Sequence, residues 1–262
     1  MVRRGYVDTP GGQIHFYAAG DRGPLVFLFH ETALSGNEFE KTLPILATRC
    51  RAIALDTPGY GMSDPPPGPP TMDDLVEPLL TAMVHFGPGP YVLAGAHTGA
   101  SLAIEMAANR IPADVSHVML TGLALLKPSE IDAFRRIIGT PVIDRDGKYL
   151  IEQWQKRVKR WGADTDLAGL HWGAVEQLKV YSRFHWAFEA VFQHDAEGAL
   201  ARLRCPTFFL IGDRDSLVES DRRAAELVKG AKLKVLSEVR GRLPYFHPEV
   251  YAHELIAFAG LA

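Results

Sequence analysis

Short, mainly apolar runs recur along this chain and alternate with stretches of helical periodicity. Leu25 to Phe29, Arg51 to Leu55, Tyr91 to Ala94, Val115 to Leu120 and Pro206 to Ile211 are runs of this kind. A continuous apolar run bounded by turn residues predicts a strand buried on both faces. Leu233 to Leu236 predicts a shorter strand of the same kind. Ile14 to Tyr17 follows a Gly11-Gly12 turn and predicts an antiparallel edge strand. Helical spacing occupies Asn37 to Thr48, with an interruption at Pro44, and Thr71 to Val84, with Thr71 as N-cap and Pro78 inside. Ala100 to Ala108 and Glu249 to Phe258 complete the helices of this pattern. Alternating strands and helices predict an α/β fold, with a mainly parallel central sheet and helices on both faces.

The alternation stops between Lys127 and Arg204. That stretch shows helical segments, no convincing strand, and the chain's four tryptophans, Trp154, Trp161, Trp172 and Trp186. It is read as an inserted helical cap over 127–204, with the α/β core formed by 1–126 and 205–262. The proline-rich tract from Pro65 to Pro70 is read as a surface connector.

Composition narrows the function classes. Of 262 residues, 47% are hydrophobic and 23% charged, which suits a large core without covalent staples. The formal net charge of −3 gives no reason to expect nucleic acid or an anionic membrane as partner. The basic start, Arg3-Arg4, leads into a mixed polar stretch rather than an apolar run, so neither a signal peptide nor a membrane span is expected. Cys50 and Cys205 have no metal-type spacing and are expected as reduced thiols in a cytoplasmic protein. The expected partner is a small molecule, with no cofactor and no metal; the pattern says nothing about oligomeric state.

In open parallel sheets the ligand site lies beyond the carboxyl ends of the strands. One such end carries Gly95-Ala96-His97-Thr98-Gly99, between a strand and a helix. The small residues permit a sharp turn that projects the His97 side chain, with free N–H groups of the helix start behind it. Other strand ends carry Phe29-His30-Glu31-Thr32, Asp56-Thr57-Pro58-Gly59-Tyr60-Gly61-Met62-Ser63-Asp64 and Leu210-Ile211-Gly212-Asp213-Arg214-Asp215.

In this order these segments resemble the landmarks of the α/β-hydrolase superfamily. The turn is similar to its G-x-S-x-G nucleophile elbow, with His97 at the serine position. His30-Glu31-Thr32 resembles the oxyanion loop, with Glu31 in place of glycine. The resemblance implies backbone donors at Thr32 and Thr98 and a triad acid at Asp215. The superfamily's histidine usually stands in a G-H-x-P-like stretch. Here that stretch is Gly241-Arg242-Leu243-Pro244, so Arg242 takes its place, and His247, five residues on, is the alternative under a shifted alignment.

A His97–Arg242–Asp215 set cannot run the serine hydrolase mechanism, because it has no hydroxyl and arginine does not deprotonate near neutral pH. The expectation is an Asp215–Arg242 ion pair facing His97, which keeps the imidazole neutral as a general base. The best reading is then hydrolysis of a small apolar or aromatic ester-like or C–C bonded substrate. Lyase or isomerase proton transfer at His97 is one alternative. A non-catalytic ligand-binding protein, with a degenerate turn, is another. His30 reads best as a buried structural histidine; a His30, Glu31 and His97 metal site has no motif behind it. Trp154, Tyr181, Phe184, His185, Trp186, Phe188 and Phe192 are candidate lid residues, some of them simply the cap's own core, with Phe246 and His247 added from the other side. Lys156, Arg157, Lys159 and Arg160 read as a solvated helix face, with recognition of an acidic substrate tail as a minor alternative.

Overall fold

A computed structural model describes residues 1–138, 142–161 and 166–261. Its strands are β1 (Arg3–Thr9), β2 (Gly12–Ala19), β3 (Leu25–Phe29), β4 (Arg51–Leu55), β5 (Tyr91–Ala96), β6 (Val115–Thr121), β7 (Thr207–Gly212) and β8 (Lys232–Leu236). They form one sheet in the order β1-β2-β4-β3-β5-β6-β7-β8. From β4 to β8 neighbouring strands are parallel; β1 and β2 pair antiparallel, as do β2 and β4. Every residue of β3, β5 and β7 is buried, as their unbroken apolar runs predict.

The helices are α1 (Leu43–Leu46), α2 (Met72–His85), α3 (Thr98–Glu105), α4 (Pro128–Ile137), α5 (Lys148–Trp161), α6 (Leu167–Lys179), α7 (Trp186–Phe192), α8 (Ala196–Arg202), α9 (Val218–Leu227), α10 (Leu243–Phe246) and α11 (Pro248–Ala259). Two apolar layers sandwich the sheet. On one face Leu25, Phe27, Phe29 and Leu93 pack with Leu75 and Leu79 of α2 and Ala103 and Ile104 of α3. On the other, Val26, Leu28 and Ala94 pack with Leu43 and Leu46 of α1 and Tyr251 and Leu255 of α11. The alternation along β3 sends successive side chains to opposite layers. Thr71 caps α2 through a capping box with Asp74. No helix of the described residues is long and apolar enough to cross a membrane.

One expectation needs correction. The strand containing Ile14 to Tyr17 is not at the edge, because β1 covers it; β1 leaves Arg3, Arg4, Tyr6 and Asp8 exposed and so lacks an apolar signature. The helical stretch Asn37 to Thr48, expected to be interrupted at Pro44, is a 3-10 turn at Gly36–Phe39 followed by the single turn α1. Pro44 sits at the start of α1, where its missing N–H is tolerated, and blocks continuation from the preceding turn. The small helices α9 and α10 have no counterpart in the sequence pattern.

Between β6 and β7 the described residues are helical, α4 to α8, with a 3-10 turn at Tyr181–Arg183. Tyr60 ties this segment to the loop after β4: its hydroxyl donates to Arg183 O at 3.1 Å and accepts from Ala187 N at 2.9 Å. Arg183 Nε donates to Gly59 O at 2.5 Å.

The loop itself hangs on Asp56, which is fully buried. One carboxylate oxygen accepts from Gly36 N at 2.6 Å, the other from Met62 N at 2.9 Å, and His15 Nδ1 lies 2.9 Å from the second. Asp56→Ala strands these buried donors. It is expected to cost about 3 kcal/mol in urea denaturation, against well under 1 kcal/mol for a surface control such as Asp146→Ala.

Candidate functional site

The candidate site lies beyond the carboxyl ends of the parallel strands. β5 ends at Ala96, and His97 turns the chain into α3 with φ 51° and ψ −110°. A non-glycine residue there is strained. The close passage of the chain compels the turn: a methyl group on Gly99 would lie 2.0 Å from Phe29 O, and one on Gly95 would lie 2.2 Å from Gly99 O. The His97 N–H donates to Thr121 O at 2.7 Å, which ties the turn to β6.

The imidazole fills the space left by Gly122, just after β6. Gly122 has φ +68°, and a methyl there would sit 2.6 Å from His97 Cδ2. Asp221 on α9 holds this segment by accepting from Gly122 N at 2.8 Å and Leu123 N at 2.7 Å. Directed this way, His97 Nε2 lies 3.0 Å from Asp215 Oδ2. Asp215 sits just past β7, is 5% exposed, and also accepts from Leu217 N at 2.9 Å.

Glu31 approaches from the end of β3. Its Oε2 is 4.0 Å from His97 Nε2, and its Oε1 accepts from Arg242 Nε at 3.0 Å. Arg242 is a buried residue in the left-handed region, φ 57°, at the N-terminus of α10. The expected Asp215–Arg242 pair is therefore replaced by two others, Asp215 with His97 and Glu31 with Arg242. Glu31 intercepts the guanidinium that the sequence comparison aimed at the acid.

His30, 1% exposed, is structural in its contacts. Its Nε2 accepts from Thr57 N at 2.9 Å, which leaves Nδ1 to donate to Glu31 O at 2.8 Å. With both ring nitrogens engaged it offers no lone pair to a metal, and the described residues contain no acidic, histidine or cysteine cluster suited to one. Glu38 accepts from Glu31 N at 3.0 Å. Burial and the charge of Glu31 push the Glu38 carboxyl up to about 8, so it is protonated at neutral pH.

The charge state of His97 differs from expectation. Burial disfavours the imidazolium, but the charge and hydrogen bond of Asp215, with the charge of Glu31, outweigh it and raise the pKa to about 9. At neutral pH the pair is imidazolium and carboxylate, not a neutral base. Burial likewise works against the Asp215 carboxylate, yet the charge of His97 and its hydrogen bond hold the carboxyl below its ordinary value.

A sequence model of the family described as Alpha/beta hydrolase family matches residues 26–254. The chain belongs to the α/β-hydrolase family. Among solved structures, a hydrolase from Pseudomonas aeruginosa PA01 superposes with a TM-score of 0.85 at 20% identity, covering 98% of each chain. The enol-lactonase from Burkholderia xenovorans LB400 gives 0.83 at 18% identity, covering 98% of this chain and 100% of that one. At such identities the likeness concerns the fold. Among curated proteins, the magnesium-chelatase 30 kDa subunit of Rhodobacter capsulatus is 30% identical over 86 residues. That stretch is 32% of this chain and spans only 30% of the relative's length.

Within this α/β-hydrolase fold, Thr32 and Thr98 meet: Thr32 Oγ1 donates to Thr98 Oγ1 at 2.8 Å. The N–H of Thr98 opens α3 and has no acceptor within the helix. Ser101, one turn on, is fully buried.

No hydrogen bond, ion pair or ring contact among the described residues joins the other expected site residues to His97. Tyr181 is exposed at 39%; Trp154 and Trp186 are half-buried. Phe184, Phe188 and Phe192 form a ring-to-ring chain with Phe134, within the helical segment itself. Phe246 packs edge-on to Tyr245, and His247, half-buried, caps α11. The side chain of Trp161 lies outside the described residues. Trp172 is the aromatic that sequence reasoning passed over: it stacks on Tyr245 at 4.9 Å and lies 6.0 Å from Arg242 Cζ. The basic run is not a uniformly solvated face either, because Arg157 is only 9% exposed.

The raised pKa of His97 has a stability consequence. Between its ordinary 6.5 and about 9 the folded state holds a proton that the unfolded state releases. The stabilisation is complete below about pH 6.5 and is lost as pH rises through about 9. The His97 ring protons are expected to titrate near pH 9 in NMR, and Asp215→Asn should lower that midpoint by one unit or more. A wild-type midpoint below 7 would contradict the pairing.

Proposed function

We propose that this chain is a hydrolase of small ester-like or C–C bonded carbonyl substrates in which the His97–Asp215 dyad moves the proton and water makes the attack. The observation that carries this reading is the 3.0 Å contact of His97 Nε2 with Asp215 Oδ2 at a turn whose geometry projects the imidazole. Held through Nε2, the ring turns Nδ1 to the substrate. Around it, Ser101 is buried in α3 and the Thr98 hydroxyl accepts from Thr32, so neither is presented as a nucleophile.

In its neutral form Nδ1 takes a proton from water, whose oxygen bonds to the carbonyl carbon while the π pair moves onto the carbonyl oxygen. The Thr98 N–H, and that of Thr32 across the loop, supply the donors for this oxyanion, as the family likeness suggests. Collapse expels the leaving group, which takes the proton back from Nδ1. Asp215 fixes the ring orientation and stabilises the imidazolium between the two transfers. Residues 127–204 act as a cap over the core of 1–126 and 205–262, anchored through Tyr60 and Arg183. The free thiols of Cys50 and Cys205 agree with a reducing, cytoplasmic setting.

One observation favours a second reading, a lyase or isomerase. With a pKa of about 9, His97 enters catalysis as a proton donor, suited to protonating an enolate. The pH profile separates the two. A base needs the minor neutral form, so kcat/KM for hydrolysis should rise about tenfold per pH unit from 6 to 8 and level near 9. A profile flat to pH 8 and falling near 9 would assign the proton-donor chemistry instead.

On a panel of chromogenic and enol esters, His97→Ala should lose at least about a hundredfold in kcat/KM with the fold retained by circular dichroism. Unchanged turnover in that variant would sink the dyad. Serine-directed phosphonates should leave the protein unlabelled by mass spectrometry; a covalent adduct on any hydroxyl would replace water with that residue as nucleophile.

A further inference from the structure

Two buried guanidiniums converge next to the dyad. Arg242 is 4% and Arg157 9% exposed. A methyl group on Gly173 of α6 would lie 2.4 Å from Arg242 Nη1 and 2.9 Å from Arg157 Nη1, so both side chains reach the same point beside the Gly173 backbone. Nothing larger than glycine leaves them that room. Trp172, the preceding residue, offers its ring face to Arg242 at 6.0 Å.

The two cations are unequally compensated. Arg242 has Glu31 at 3.0 Å. Arg157 donates from Nη2 to the amide oxygen of Gln177 at 2.6 Å, and Gln177 is held in that orientation by donating to Gln153 Oε1 at 3.2 Å. A neutral amide does not neutralise a guanidinium. Arg157 Nε is buried and has no hydrogen-bond partner among the described residues, and no carboxylate there pairs with Arg157. Burial, with the charges of Arg242 and Arg160, outweighs the charge of Glu31 and pushes the Arg157 pKa down to about 9, which still leaves it charged at neutral pH.

The wider charge count has the same sign. Arg157, Arg242 and His97 are cationic, and the charge of Arg160 is felt at Glu31, His97 and Asp215. Among the described residues the carboxylates that face them are Glu31 and Asp215, since Glu38 is protonated. Buried like charges with an unused donor are costly unless an anion completes them. A planar guanidinium fork matches the two oxygens of a carboxylate.

We propose that Arg157 and Arg242 form the recognition site for a carboxylate carried by the substrate, which is therefore a small carboxylic acid whose reacting carbonyl lies a few bonds from its carboxylate. This rests on the reading of His97 as the proton-transfer residue. Glu31 contacts both Arg242, at 3.0 Å, and His97, at 4.0 Å, so the guanidinium and the imidazole lie within the reach of one small molecule. An aromatic lid suggests an apolar or aromatic substrate; the buried guanidiniums add a carboxylate to it.

Calorimetric titration of the full chain with succinate, its uncharged diamide and inorganic phosphate tests the site. Succinate should bind, the diamide should not, and phosphate should bind more weakly than succinate. Arg157→Gln should weaken succinate roughly tenfold or more with the circular dichroism spectrum unchanged. Gly173→Ala, which keeps both charges but forces them apart, should weaken it as well and carries the test if Arg157→Gln fails to fold. His97→Ala should bind succinate as the wild type does while losing turnover.

No succinate binding, or wild-type affinity in a folded Arg157→Gln, overturns the proposal. Phosphate binding as tight as succinate also overturns it, since the site would then take any oxyanion. If His97→Ala keeps its turnover while Arg157→Gln still loses succinate, the dyad reading fails and the carboxylate site stands.

Discussion

The turn between β5 and α3 has room for the side chain of His97 and for little else. The strand runs into the helix so tightly that Gly95 and Gly99 touch backbone, and Gly99 also rests on the carbonyl at the end of β3. That constraint holds His97 in a positive-φ conformation and sends its ring into the space beside Gly122. Once the ring is there, Asp215 is its nearest acid, and the remaining charges sort themselves around that contact.

The charges sort by the low dielectric of the setting. An isolated buried carboxylate or guanidinium is expensive, and pairs form where geometry first permits. Asp215 meets His97; Arg242, arriving from the other side on the short helix α10, meets Glu31 at the end of β3. Glu38 has no cation left to it and stays protonated beneath the same loop. Arg157 is the inverse case, a buried cation whose hydrogen bond, among the described residues, goes to a neutral amide.

The helical segment between β6 and β7 contributes more to this cluster than its aromatic content suggests. Its aromatic rings largely pack on one another through Phe134, Phe184, Phe188 and Phe192. Among the described residues it brings Arg157, Trp172 and the bare backbone of Gly173 to the site, with the charge of Arg160. Tyr60 and Arg183 fix the same segment to the loop braced by Asp56, so the position of the guanidiniums depends on the core below them.

Much of the fold was legible from the residues in order. Strands buried on both faces are continuous apolar runs, and β3 to β7 could be read directly; β1 could not, since an exposed edge strand carries Arg3, Arg4 and Asp8 like any loop. Small residues at the turn and an imidazole between them, the aspartate past β7 and the arginine before α10 were equally readable, because each is local. What local pattern does not carry is which charge meets which. His97 finds Asp215 118 positions away, and Arg242 finds Glu31 across 211, distances over which only packing of the finished sheet decides. The same holds for Arg157, whose neighbours in sequence mark a solvated helix face while α6 buries it. Sequence alone determined the sheet, the turn and the candidate residues; the tertiary structure decided their partners and protonation, since both depend on burial and on contacts between distant strand ends.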